Sequence, residues 1–211
     1  MSIALKVLLG LIIVGAGAMV FNTFVMPNML ASLYFQENTV IEKSVIDNVK
    51  KSIVVMNAPL GLYSGLVLTE DGLVVSLNSV LNNKNVISGY IEGDQVSLKN
   101  LHTANDNVAL LRITKSGLVG TKFADGTKIK AGEKVFLVAA ASFYQDEWIV
   151  REGTITQTDG VVIKTNIEGS EQLSSAPLLN SAGELVGIVY IDSSNQTVAV
   201  PVSQIRLLTG L

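Results

Sequence analysis

Apolar runs in residues 45–201 are short, and each is soon closed by turn-forming residues. Segments rich in Val, Ile, Leu and Thr are separated by Glu70-Asp71-Gly72, Asn82-Asn83, Ala124-Asp125-Gly126, Thr158-Asp159-Gly160 and Ser193-Ser194-Asn195. Gly and Asn tolerate the positive backbone angles of tight turns, while Asp and Ser accept hydrogen bonds from neighbouring amides. β-branched runs closed in this way predict strands and turns, an all-β domain. Outside the amino-terminal third, the clearest helical pattern is Val202–Leu208 at the carboxy-terminal end. About 170 residues are available, enough for one domain or two small barrels sharing an interface. No internal repeat or low-complexity tract interrupts them.

The amino-terminal part is of another kind. Val7 to Gln36 contains no charged residue, and Ile3–Met26 is long enough as a helix to cross a hydrocarbon core of about 30 Å. This predicts a transmembrane anchor. Lys6, the apolar run and Ala16-Gly17-Ala18 also imitate the three regions of a cleaved signal peptide, but the run continues through Phe24-Val25-Met26, which favours retention. Lys6 before the span and Glu37 after it place the amino-terminus in the cytoplasm and the β domain outside it, in the periplasm or at the cell surface. Residues 27–44 form a connector. Its Met29–Phe35 stretch is too apolar for a free linker, with Tyr34 and Phe35 suited to the headgroup level or to a partner.

The chemistry-bearing segments lie in the β domain. Gln172-Leu173-Ser174-Ser175-Ala176-Pro177-Leu178-Leu179-Asn180, continuing to Gly183-Glu184-Leu185-Val186-Gly187-Ile188, resembles the nucleophile segment of trypsin-like serine proteases, Gly-Asn-Ser-Gly-Gly-Pro-Leu-Leu-Asn followed by Gly-Glu-Leu-Val-Gly-Ile. Residues 61–81 resemble the segment of the HtrA-type branch that carries the general-base histidine, and Asp106–Ile113 resembles the segment that carries the aspartate. Val45–Val55, Ala131–Ala139, Glu152–Thr156 and Ile163–Asn166 follow the family order, and the likeness extends over roughly residues 45–208. It implies a trypsin-like double β-barrel with a short carboxy-terminal helix. One barrel is expected over about 45–125 and the other over about 126–211. The PDZ domain that often follows such a protease domain is expected to be missing.

The resemblance also implies a degenerate site. Ser174 stands at the nucleophile position, Ser79 where the histidine belongs and Asn107 where the aspartate belongs. A serine hydroxyl lacks the basicity near neutral pH to take a proton from Ser174. Asp106 is one residue off, and a shift of one on a strand turns the side chain to the other face. The oxyanion is held in this family by two backbone N–H groups, at the positions of Gln172 and Ser174. A side chain at 172 restricts a backbone that glycine leaves free.

Other candidates are weaker. His102 is the sole histidine and falls in what the family frame makes a loop. Lys164 could form a Ser-Lys dyad with Ser174, though it replaces a surface-type residue of the family strand. Ser79 and Ser174 could share hydrogen bonds across the old cleft. Tyr144, Asp146, Glu147 and Trp148 form a segment suited equally to a partner or to ordinary packing. One histidine and scattered carboxylates give no metal site, and no cofactor is expected. A net charge of −3 without a basic patch argues against nucleic acid. The expected function is a membrane-anchored, inactive pseudoprotease that binds a protein or peptide partner, with a homo-oligomer as a further possibility. The alternative is an active serine endopeptidase that uses Ser174 with a non-standard base.

Overall fold

The computed structural model describes residues 41–82, 84, 86–103, 107–142 and 147–211, with His102 and Thr103 described by their backbone alone. The proposed span Ile3–Met26 and nearly all of the connector lie outside these residues. Among the described residues no helix is long and apolar enough to cross a membrane.

Helix α1 (Lys43–Lys50) leads into twelve strands in two closed six-stranded antiparallel barrels. The first contains β1 (Ile53–Ala58), β2 (Gly61–Val67), β3 (Leu73–Leu77), β4 (Val86–Ile91), β5 (Asp94–Thr103) and β6 (Val108–Ile113), in the order β1-β2-β3-β6-β5-β4. The second contains β7 (Lys134–Ala140), β8 (Trp148–Thr158), β9 (Ile163–Glu168), β10 (Pro177–Asn180), β11 (Leu185–Ile191) and β12 (Gln196–Pro201), in the order β10-β11-β12-β9-β8-β7. One-turn helix α2 (Asn78–Leu81) follows β3, and α3 (Val202–Thr209) closes the domain, matching the expected terminal helix. Closure occurs where β1 pairs with β4 and β7 with β10, which removes the long open edges that an isolated sheet exposes.

Burial follows from where each strand lies. On β9, Ile163, Thr165 and Ile167 point inward while Lys164, Asn166 and Glu168 face solvent, the two-residue alternation of a half-exposed strand. On β7 every residue from Val135 to Ala140 is buried. Val135, Leu137 and Ala139 fill the second barrel together with Ile155, Ile163, Leu178 and Val186, while the strand also contacts β2 of the first barrel and α1. A strand covered on both faces reads as an unbroken apolar run, and Val135-Phe136-Leu137-Val138 does so.

Two glycines are required by close approach. At Gly72 (φ +90°) a Cβ would lie 2.2 Å from the Ile113 carbonyl oxygen. The turn Glu70-Asp71-Gly72 thus brings β3 onto β6, with the Ile113 amide donating to Gly72 O at 2.9 Å. At Gly183 (φ +78°) a Cβ would meet Val45 of α1 at 2.9 Å, so the β10–β11 hairpin needs glycine to seat the helix. Before β7 the chain crosses between barrels. Phe123 bridges to Leu185, and Ala124 belongs to the second core.

Candidate functional site at the barrel seam

The three positions matched to a catalytic triad come from three elements. Ser79 lies exposed on α2, immediately after β3. Asn107, also exposed, precedes β6, and its carbonyl oxygen accepts the Asn78 amide at 3.0 Å. Ser174 is half-buried and follows a 3₁₀ turn, Glu171–Leu173. The Leu77 amide donates to Ser175 Oγ at 3.2 Å, which ties the strand leading to Ser79 to the residue after Ser174. Two hydrogen bonds from backbone amides, one to the Asn107 carbonyl and one to the Ser175 hydroxyl, therefore gather Ser79, Asn107 and Ser174 at one end of the seam between the barrels.

The hydroxyl pair across this seam is Ser76 Oγ with Ser175 Oγ at 2.6 Å, in place of the expected sharing between Ser79 and Ser174. Side chains alternate along a strand, so Ser76, three residues before Ser79 on β3, points into the interface while Ser79 lies beyond the strand end. Both Ser76 and Ser175 are fully buried. Ser175 adopts φ +71°, in the left-handed region favourable to glycine. Its amide donates to Val189 O at 2.7 Å. A side chain in this conformation costs about 1–2 kcal/mol, and the two hydrogen bonds made by its Oγ offset much of that.

The loop before Ser174 is folded on itself. The Ser174 amide donates to the Glu171 carbonyl at 3.0 Å and the Leu173 amide to Ser170 O at 2.9 Å. An oxyanion site needs preorganised amides aimed at the developing charge. Here the nucleophile-position amide is engaged with Glu171, and Gln172 sits inside the tight turn with its side chain exposed. Glu171 acts across the seam as well. Tyr63 of β2 is buried, and both that burial and the nearby Glu171 carboxylate raise its phenol above the ordinary value. Composition gave no reason to single out Tyr63, Ser76 or Glu171. For Ser175 the resemblance indicates only a serine where the family has a glycine.

Residues 63–188 match the trypsin-like peptidase domain family. This chain belongs to that family. The crystal structure of the serine endoprotease from Yersinia pestis has the same fold, with a TM-score of 0.68 and 18% sequence identity over 79% of this chain. The match spans 64% of the endoprotease chain's length.

Within this trypsin-like domain the remaining candidates fall away from the seam site or outside the described residues. His102 is in β5 opposite Leu110, just after a bulge between Asn100 and His102, and is therefore on a strand instead of in the expected loop. The β6 edge extends far enough to keep His102 and Thr103 in the ladder, opposite Leu110 and Ala109. Lys164 faces outward on β9, and its charge bears on Asp159 in the neighbouring turn. Trp148 opens β8 opposite Ala140, half-buried, with the Lys50 ammonium 5.9 Å from its ring centroid. That packing is one its aromatic face can support. Glu147 is exposed and its carbonyl accepts the Ala141 amide at 3.0 Å, while Tyr144 and Asp146 lie outside the described residues. No group of His, Cys, Asp and Glu among the described residues is arranged to hold a metal ion.

Proposed function

We propose that the protein is a catalytically inactive, membrane-anchored member of the trypsin-like family that binds a protein or peptide partner outside the cytoplasm. The observation that carries this reading is the hydrogen bond from the Ser174 amide to Glu171 O, in a site whose base position holds Ser79. One amide donor aimed at the developing oxyanion is worth about 3–4 kcal/mol. A hydroxyl in place of imidazole leaves the nucleophile's proton without an acceptor of suitable basicity. Reaction of the full chain with a fluorophosphonate probe tests the reading. Ser174 is expected to stay unlabelled, and labelling abolished by Ser174→Ala would instead establish the working endopeptidase.

The anchor rests on Ile3–Met26 and its flanking charges. The protein is expected to remain with membranes through high-salt and alkaline washes and to leave only in detergent, because about 20 apolar residues outweigh electrostatic attachment. A soluble form beginning at Met19 would overturn it. Protease added outside the cytoplasmic membrane is expected to reach the β domain. Protection until the cytoplasm is opened would invert the topology.

A further inference from the structure

The outer face of the first barrel carries a groove of about 580 Å³ along β5 and the end of β6, with Ser97, Lys99, Arg112, Thr114 and Lys115 in its wall. Strand register sets Lys99 directly opposite Arg112. Like charges facing each other across two strands destabilise a sheet, so this pairing calls for an anion. Arg112 and Lys115 each have one, in Asp71 and Asp94. Lys99 is exposed, and no carboxylate among the described residues lies at ion-pair distance from it. The excess positive charge of the face is therefore at Lys99, on a chain whose net charge is −3. Two large apolar side chains flank it. Val86 of β4, directly opposite Lys99, is 56% exposed, and Leu101, two residues further along β5, is 47% exposed. Strand β5 is paired with β4 on one side and β6 on the other, so this face offers an extended peptide no free backbone to join. Cations beside exposed apolar side chains match a bilayer surface instead, with the charges at lipid phosphates and the apolar groups at the boundary between headgroups and acyl chains.

We propose that this face of the first barrel rests on an anionic phospholipid surface, with Lys99 and Arg112 at lipid phosphates and Val86 and Leu101 against the interface. This assignment rests on the membrane-anchored reading and specifies which side of the domain meets the lipid. A tether keeps the domain at high effective concentration above the bilayer, so a small excess of charge is enough to hold it down.

The chain contains no cysteine, so an introduced one carries a polarity-sensitive nitrobenzoxadiazole probe at a single site. Full-length Leu101→Cys, and as a control Val161→Cys in the second barrel, where Val161 is 63% exposed, are reconstituted into phosphatidylcholine vesicles with and without phosphatidylglycerol. The probe at 101 is expected to shift to the blue only when phosphatidylglycerol is present and to return in high salt, while the probe at 161 stays unchanged. Adding Lys99→Glu gives Arg112 an opposite charge to face, so folding is kept, and should lower the ratio of lipid-bound to free domain about 25-fold, at about fivefold per unit of charge. No shift at 101, an equal shift at 161, or a shift indifferent to Lys99→Glu would overturn the proposal. So would a shift in phosphatidylcholine alone that grows with protein density, since a second copy would then cover the face, or one reversed by inorganic phosphate but not by chloride of equal ionic strength, since a soluble phosphate would then be the ligand. Retention through an alkaline wash is scored separately. Retention without the lipid-dependent shift would sink the face and leave the anchor standing. A chain lost in the wash that still floats with phosphatidylglycerol vesicles, and is released by salt and by Lys99→Glu, would do the opposite.

Discussion

The two barrels depart in different ways from the family pattern that the sequence resembles. On the first-barrel side the change is in side chains. Ser79 and Asn107 occupy their positions, and the Asn78 amide still bonds to Asn107 O to hold the two segments together. On the second-barrel side the nucleophile-type residue Ser174 is present and the feature lies in the backbone, with the Ser174 amide bonded to Glu171 O and Ser175 held at φ +71°. Side-chain losses can be reversed one substitution at a time. A backbone held by its own hydrogen bonds and by a buried hydroxyl requires several changes together.

The sharpest way to break this comparison is stepwise restoration of activity. Ser79→His alone is expected to leave hydrolysis of a fluorogenic peptide at background. Ser79→His, Asn107→Asp, Gln172→Gly and Ser175→Gly together should exceed that single variant by about 10³-fold or more, since triad and oxyanion groups act as a unit. Substantial turnover by Ser79→His alone would mean that the second-barrel loop was never the obstacle.

The buried clasp gives the next largest effect. Ser175→Ala keeps the left-handed backbone but removes the bonds to Ser76 Oγ and the Leu77 amide, and should destabilise by about 2 kcal/mol in urea titrations of the detergent-solubilised chain. Ser175→Gly loses the same bonds but relieves the strain and should cost about 1 kcal/mol less. Equal losses in the two variants would show that the φ of Ser175 carries no penalty. Ser76→Ala tests the other barrel's half of the clasp and should cost about 1 kcal/mol.

The smallest effect joins the two sides through Tyr63 and Glu171. Burial, and then the Glu171 carboxylate, raise the Tyr63 phenol, so the folded state favours the neutral form. The stability this contributes is complete below the unfolded tyrosine value of about 10 and is lost as pH rises through the higher folded value. Ultraviolet titration should find Tyr63 ionising late, and Tyr63→Phe should flatten the alkaline fall in stability. Glu171→Gln should move the ionisation modestly downward. An unchanged titration in Glu171→Gln would separate the two residues electrostatically and weaken the link across the seam.

Much of this architecture is legible in short-range pattern. Asp71-Gly72 predicts the turn that Gly72 makes against Ile113, and Val202–Leu208 predicts the final helix, because turn chemistry and apolar periodicity act over a few residues. The order of the family segments also identifies where Ser79, Asn107 and Ser174 would be gathered. Local pattern fails at His102, where register with β6 outweighs a sequence that resembles a loop.

By itself the sequence determined the strand-and-turn composition, the family likeness and the identities of the groups at the triad positions, all matters of residue type and spacing. Tertiary structure alone decided that Ser76 meets Ser175 from 99 residues away, that Tyr63 lies within the field of Glu171 and that the Ser174 amide is engaged inside its own loop. Those outcomes depend on how two closed barrels pack and which amides remain to be satisfied, and such long-range pairings leave no trace in the spacing of residues along the chain.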